Sequence, residues 1–262
     1  MTTVLLTGAT GVLGRELEPR LLDAGHDVRA ASRSPPTGGE VEWVELDLAD
    51  GTGVREAVDG VGIVVHAASD ARGDSESVDV RGTERLLDAA ADADVANFVY
   101  VSIVGIDEIP YAYYEHKLEA ERAVEASAVP STIVRSTQFH PFVAALLATV
   151  SRLPLWPLPT EFRLQPIDTG EAADRVAEHA TVEAVGRAPD VGGPDVLSVR
   201  QLAEAYREER GLHRPIVRLP IPGSVASAFR AGEATSPDRD VGTRTWNEWL
   251  AAQEGVPGKG EY

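Results

Sequence analysis

The stretch Val4-Leu5-Leu6-Thr7-Gly8-Ala9-Thr10-Gly11-Val12-Leu13-Gly14 constrains the fold more than any other part of the chain. An apolar run of strand character ends at Thr7, three glycines follow at G-x-x-G-x-x-G spacing, and a helical pattern begins at Val12. Glycine at such a turn lets the backbone tighten and lets N–H groups approach an anion closely. The following helix offers the unpaired N–H groups of its first turn and the positive end of its dipole. The spacing alone also suits an ordinary glycine-rich loop. The strand before it and the helix after it make it a cradle for a dinucleotide pyrophosphate, lined by Gly8, Thr10, Gly11, Val12, Leu13 and Gly14.

The rest of the N-terminal half keeps the same rhythm. Helix one is expected over 12–24, with Leu13, Leu17 and Leu21 on one face, Gly25 at its end and Pro19 inside it, where a kink is expected. Strands are predicted at 26–32, 41–46, 61–66, 98–101 and 131–135, with helices at 53–58, 79–91 and 111–126 between them. Alternation at these lengths predicts an α/β protein with a doubly wound parallel sheet, a Rossmann fold. The second strand ends at Ser32-Arg33, where such folds meet the adenosine ribose. A carboxylate there suits the 2′-hydroxyl of NAD, and an arginine suits a 2′-phosphate. Ser32 and Arg33 therefore favour NADP, with NAD as the alternative, unless Arg33 is simply a solvated loop charge. The small residues Ala67-Ala68-Ser69 after the fourth strand suit close approach of a flat cofactor, although small residues are common in any turn.

Beyond residue 137 the rhythm changes. Prolines cluster at Pro154, Pro157, Pro159 and Pro166 around Trp156, in what reads as an irregular apolar segment by a site. A helix is expected at 170–180. Ser198 to Gln201 and Thr245 to Glu248 each form a capping box that opens a helix, and Trp246, Trp249 and Leu250 read as core. The tail 255–262 is expected to fray. The chain is read as a single domain over 1–262, with 1–137 mainly the dinucleotide-binding core and 138–262 mainly a small C-terminal substrate lobe.

Composition narrows the partners. Asp and Glu number 42 against 24 Lys and Arg, a formal net charge of −18. This balance argues against nucleic acid, whose phosphates require a basic face. An acidic chain whose lysines are Lys117 and Lys259 alone resembles proteins of salt-accumulating halophiles, in which salt screens the self-repulsion; an acidic mesophilic protein is the plainer reading. There is no cysteine, hence no disulfide or thiolate nucleophile, and the six histidines show no metal-ligand spacing, so no metal site is expected. The longest apolar run, 142–150, is far short of the roughly 20 residues of a membrane span. No signal segment is apparent, which points to the cytoplasm. The oligomeric state stays open.

A second constellation lies in Tyr111-Ala112-Tyr113-Tyr114-Glu115-His116-Lys117. Tyr113 and Lys117 are four apart and share a helical face. A phenol is a poor acid or base near neutral pH, and a neighbouring ammonium favours its ionised form. The same ammonium can bind cofactor ribose hydroxyls. Lys117 is the one interior lysine of a chain that otherwise uses arginine, which points to a site that requires lysine. An amphipathic helix start is the bland alternative.

These residues together resemble the short-chain dehydrogenase/reductase superfamily in its extended or atypical branch. The chain is similar there to NAD(P)H-binding proteins of the NmrA-like, nucleoside-diphosphate-sugar epimerase-like group. Thr7 to Gly14 matches the cofactor loop, Asp47-Leu48 the adenine-contacting pair, Ala67-Ala68-Ser69 the stretch after strand four, and Val80-Arg81-Gly82-Thr83 the next helix motif. Tyr113 and Lys117 match the Y-x-x-x-K pair, Arg135-Ser136-Thr137-Gln138-Phe139 the segment bordering nicotinamide and substrate, and Pro166-Ile167-Asp168 an element near the lobe. The resemblance implies Tyr113 as acid/base, Lys117 as its helper and Ser102 as the candidate third catalytic residue, one or two positions early for a full triad.

Two function classes follow. One is an NADP-dependent oxidoreductase passing hydride to a carbonyl or quinone-like molecule. The other is an NADPH-sensing or assembly protein that binds cofactor without turnover. Sugar-nucleotide epimerisation or dehydration is a third reading. Phe139, Phe142, Leu146, Leu147, Leu155 and Trp156 suit an apolar small molecule better than a nucleotide sugar, or else they are core.

Overall fold

The periodicity just described becomes, in the computed structural model, eleven strands and nine α-helices among the described residues, which are 2–36, 38, 41–239 and 241–253. In chain order these open with β1 (Thr3–Thr7), α1 (Val12–Asp23), β2 (Asp27–Ser32), β3 (Glu42–Glu45), α2 (Val54–Val58) and β4 (Ile63–His66). They continue with α3 (Gly82–Asp92), β5 (Asn97–Ile103), α4 (Ala112–Ala126), β6 (Ser131–Ser136), α5 (His140–Val150), β7 (Trp156–Leu158) and β8 (Arg163–Leu164). The remainder is α6 (Thr169–Glu178), β9 (Gly186–Arg187), β10 (Leu197–Ser198), α7 (Val199–Glu209), β11 (Ile216–Arg218), α8 (Ser224–Ala231) and α9 (Trp246–Ala251).

The chain divides into two units by its internal contacts. The first comprises 1–102, 112–135 and 173–189. Its seven-stranded sheet runs β3-β2-β1-β4-β5-β6-β9, and the ladders of β2 with β3, β1 with β2 and β4, β4 with β5, and β6 with β9 are parallel. The order 3-2-1-4-5-6 is that of a doubly wound dinucleotide fold, with its switch point between β1 and β4, where β1 delivers the glycine turn. Strands covered on both faces read as continuous apolar runs rather than alternating ones. Ile63, Val64 and Val65 of β4 and Phe98, Val99 and Tyr100 of β5 accordingly show no exposed surface. The β9 strand at the sheet edge was not anticipated; two residues carry no usable periodicity.

Helix α1 begins and ends close to its expected bounds with Pro19 inside it, and Leu13, Gly14, Leu17 and Leu21 are buried. The expected helix at 79–91 is instead a π-helical turn over Glu76–Arg81 followed by α3. The added residue in that turn buries Asp79 and Val80 together, which a uniform 3.6-residue period could not show.

The second unit comprises 103–111, 136–172 and 190–262. It holds two small sheets, β8 with β10 antiparallel and β7 with β11 parallel. The segment expected to be irregular therefore contains β7, whose Trp156 is fully buried. Both capping boxes form, at Ser198 with Gln201 and at Thr245 with Glu248. Trp246 and Trp249 stack at 5.5 Å beside the buried His140. Within this unit Leu147 and Trp156 are core, whereas Leu146 and Leu155 are exposed. The tail expected to fray lies outside the described residues.

Candidate active site

The glycine turn is shaped by contacts that only glycine permits. Gly8 has φ +69°, and a Cβ there would stand 2.7 Å from the Ala68 nitrogen. At Gly14 a Cβ would stand 2.1 Å from the Gly8 carbonyl oxygen. The turn thus presses against both the end of β4 and the first turn of α1. Helix α1 carries no side-chain cap at Gly11 and no acidic residue in its first turn. Its N-terminal N–H groups and dipole are left to an anion. A pyrophosphate fits this cradle, and Thr10, Val12 and Leu13 lie along it.

The ends of β1 and β4 are tied by a buried relay. The Thr7 hydroxyl meets His66 Nδ1 at 2.6 Å, and His66 Nε2 meets the Thr83 hydroxyl at 3.0 Å. Thr83 gives its hydrogen to the Asp79 carbonyl at 2.5 Å. Thr83 therefore accepts from Nε2–H, and Nδ1 accepts from Thr7. Burial, with the Lys117 charge adding to it, pushes His66 down to about 3. His66 is a neutral strut, and it holds Ala67, Ala68 and Ser69 against Gly8.

Ser32 ends β2, and its Oγ accepts from the Ser34 N–H at 3.2 Å. Arg33 is exposed, with no hydrogen bond or ion pair among the described residues. In the Asp47-Leu48 turn, Asp47 Oδ1 accepts from the Ala49 N–H at 2.9 Å. Arg85 clamps the same turn through the Leu48 and Ala49 carbonyls at 2.9 and 3.0 Å.

Helix α4 brings Tyr113, Lys117 and Glu121 to one face at i, i+4 and i+8. The Tyr113 hydroxyl lies 2.8 Å from Ser69 Oγ. Lys117 is buried; its Nζ donates to the Val101 carbonyl at 3.0 Å, stands 3.7 Å from Asp79 Oδ1 and sits 4.2 Å from the Tyr100 ring centre. Burial lowers the Lys117 ammonium from its ordinary range, opposed by the charges of Asp79 and Glu121. Burial raises the Tyr100 phenol well above its ordinary range, aided by Asp79.

Ser102 and Arg135 converge on a different group. Ser102 Oγ donates to Glu121 Oε2 at 2.7 Å. Arg135 binds the same carboxylate through Nη2 at 2.7 Å and Nε at 3.0 Å, and Arg187 adds a third cationic contact. Burial by itself would raise the Glu121 carboxyl, but the hydrogen bonds of Arg135 and Ser102 and the charges of Arg135 and Arg187 hold it below its usual range. Sequence reasoning missed His66, Asp79 and Glu121. For Glu121 a signal existed, since it falls one further turn along the Tyr113–Lys117 face.

Among the described residues no cluster of His, Asp or Glu could hold a metal ion, and no helix is long and apolar enough to cross a membrane.

A parallel sheet in this strand order, opened by this glycine turn, defines a dinucleotide-binding Rossmann protein. The chain belongs to the NAD(P)H-binding family, whose model matches residues 8–141. It is 32% identical over 224 residues to the (4-alkanoyl-5-oxo-2,5-dihydrofuran-3-yl)methyl phosphate reductase of Streptomyces griseus, covering 81% of this chain and 75% of that one. It is 36% identical over 155 residues to a 3 beta-hydroxysteroid dehydrogenase/Delta 5-->4-isomerase of Mycobacterium tuberculosis, which covers 47% of this chain and 42% of that protein. A longer uncharacterised protein of the same organism is 27% identical over 223 residues, and the chain spans 24% of its length. Among solved structures, an NADPH-dependent quinone oxidoreductase of Escherichia coli complexed with NADPH superposes with TM-score 0.79 at 17% identity, covering 94% of this chain and 98% of that one. A nucleoside-diphosphate-sugar epimerase of Staphylococcus aureus gives TM-score 0.79 at 19% identity, covering 95% and 99%. The chain is thus an NAD(P)H-binding protein with the fold of dinucleotide-binding enzymes of the Rossmann type.

Proposed function

We propose that this chain is an oxidoreductase that prefers NADPH and reduces a small apolar carbonyl or quinone-like compound, with Tyr113 as acid/base and Lys117 as its helper. The observation that carries this reading is the place of the Tyr113 hydroxyl. It is bonded to Ser69, whose neighbours Ala67 and Ala68 are the residues against which Gly8 closes. The phenol therefore lies one residue beyond the turn that would cradle the cofactor. The bound nicotinamide would supply the hydride. Tyr113 would deliver a proton to the acceptor oxygen as charge develops there. Lys117, buried beside Asp79, would in its ammonium form stabilise the phenolate that remains. Gly8, Thr10, Gly11, Val12, Leu13 and Gly14 would hold the pyrophosphate, Ser32 and Arg33 a 2′-phosphate, Asp47 and Leu48 the adenine, and Ala67, Ala68, Ser69 and Lys117 the nicotinamide half. In this reading Arg135 and Ser102 act through Glu121, by fixing the floor under α4.

The reading is supported by the activities of its sequence relatives, a reductase and a steroid dehydrogenase, and it is compatible with the fold shared with a quinone oxidoreductase. The test is NADPH-dependent turnover over a panel of apolar ketones and quinones. Tyr113→Phe should cost about 10²–10⁴-fold in kcat, the range of general acid–base catalysis, with NADPH affinity kept. Full activity in Tyr113→Phe would remove Tyr113 from the chemistry. Tight NADPH binding with no turnover across the panel would favour the sensing or assembly role instead.

A further inference from the structure

Tyr113 meets more than a lysine. Ser69 has one hydroxyl hydrogen and two lone pairs. Its Oγ donates that hydrogen to Asp79 Oδ1 at 2.6 Å. The Tyr113 oxygen lies 2.8 Å from the same Oγ. With the Ser69 hydrogen already engaged by a carboxylate, the Tyr113–Ser69 bond is made with the phenol as donor.

The carboxylate is itself fixed. The Asp79 side chain is fully buried. Its Oδ2 accepts from the Asp70 N–H at 3.0 Å, and Lys117 Nζ stands 3.7 Å from Oδ1. It is carried on the π-helical turn that departs from the expected helix, and that turn is tied through Thr83 to His66. Little in this arrangement can rotate, so the direction of the Ser69 hydroxyl is set by covalent and buried structure, while its acceptor face stays open toward Tyr113.

We propose that Asp79, acting through Ser69, holds Tyr113 as a hydrogen-bond donor, so that the resting site presents a protonated phenol and is armed for reduction rather than for alcohol oxidation. The proposal rests on the acid/base reading of Tyr113 given above. In the reductive direction the phenol O–H bond breaks and its proton passes to the acceptor oxygen. A bound reduced nicotinamide would supply the hydride for the new C–H bond and be oxidised in doing so, and solvent would return a proton to the phenolate at the exposed Ser69 end. In the oxidative direction the phenolate must form first. It would then compete with the Asp79 carboxylate for the single hydrogen on Ser69, two anions facing one donor. Asp79 also offsets the Lys117 charge that would otherwise favour phenolate. Among the described residues, Tyr100 from β5, Glu121 from α4, the neutral His66 from β4 and Asp70 beside Ser69 are further titratable groups around this cluster; Tyr114 lies beside Tyr113 with ring centres 6.0 Å apart. Ser69 and Asp79 are positioning residues here.

The test is a titration of ring-labelled tyrosine in the full chain by carbon-13 NMR, with Tyr113→Phe assigning the resonance. Ser69→Ala removes the acceptor of the phenol and should raise the Tyr113 acid dissociation constant by about tenfold, one pH unit downward in midpoint. Ser69→Thr, which keeps the hydroxyl, should restore the wild-type midpoint. In an Asp79→Asn background, where the Ser69 hydrogen is no longer held by a charge, Ser69→Ala should move the midpoint less than half as far. An unchanged or raised midpoint in Ser69→Ala would overturn the proposal, as would an equal shift in the Asp79→Asn background. The titration reads the phenol whether or not turnover is found. A failure of the enzymatic reading, seen as full activity in Tyr113→Phe, is therefore distinguishable from a failure of this one.

Discussion

Replacing Glu121 by glutamine leaves the shape of the side chain and removes its charge. The carboxylate is fully buried and holds a buried Arg135 by two nitrogens at 2.7 and 3.0 Å, with the Ser102 hydroxyl at 2.7 Å on the same group. Removing one partner of a buried pair costs about 3–5 kcal/mol, because the other charge is left uncompensated. The Ser102 bond, being to a charge, contributes on the order of 1.5–3 kcal/mol, part of which glutamine retains through its carbonyl. The Arg187 side chain is 43% exposed, so its contact with Glu121 is screened and contributes about 1 kcal/mol or less. We expect Glu121→Gln to lower the free energy of unfolding by about 3 kcal/mol, and Arg187→Gln to lower it by under about 1 kcal/mol. Urea unfolding followed by circular dichroism, with m-values compared, reads both. The Glu121 carboxyl is held below its usual range in the folded state. Its stabilisation is present above the unfolded carboxylate range and is lost as pH falls through its folded value, so the gap between wild type and Glu121→Gln should close in acid. A loss under about 1 kcal/mol in Glu121→Gln at neutral pH would refute this reasoning.

Two further outcomes follow from the same contacts. Gly14→Ala places a Cβ 2.1 Å from the Gly8 carbonyl; it should cost about 1–3 kcal/mol through overpacking, and a melt with and without NADPH should lose most of its ligand-induced shift. His66, pushed down to about 3, stays neutral in the fold while the unfolded chain takes up a proton near 6.5. The unfolded state therefore binds more protons between these values, and stability falls as pH drops from about 6.5, by up to about 1.4 kcal/mol per unit. His66→Gln should flatten that slope by about one proton between pH 6 and 4.5, and an unchanged slope would contradict the buried-strut reading.

How much of this the sequence carried depends on the range of the interaction. The glycine turn, the parallel sheet and the Tyr113–Lys117 face are local patterns, and each forms where its pattern predicts. The buried charges are set by residues far apart in the chain. Glu121 takes its partners from Ser102, Arg135 and Arg187, up to 66 residues away. In the run Glu115 to Glu125 it looks like one more solvated helix charge. Asp79 is buried by a π-helical turn that has no signature of its own, and Ser69 meets it only because His66 and Thr83 tie β4 to that turn. The 154–159 segment reads as irregular because its prolines mask a three-residue strand that pairs with β11.

The central claim, that this fold holds a reduced nicotinamide cofactor by its 2′-phosphate, is tested most directly by calorimetric titration of the purified protein with NADPH and with NADH, in wild type and in Arg33→Ala. The account predicts tighter binding of NADPH than of NADH, by about tenfold or more for a charge-assisted contact, and loss of that preference in Arg33→Ala with NADH affinity unchanged. Equal or tighter binding of NADH, or a preference that survives Arg33→Ala, would contradict it.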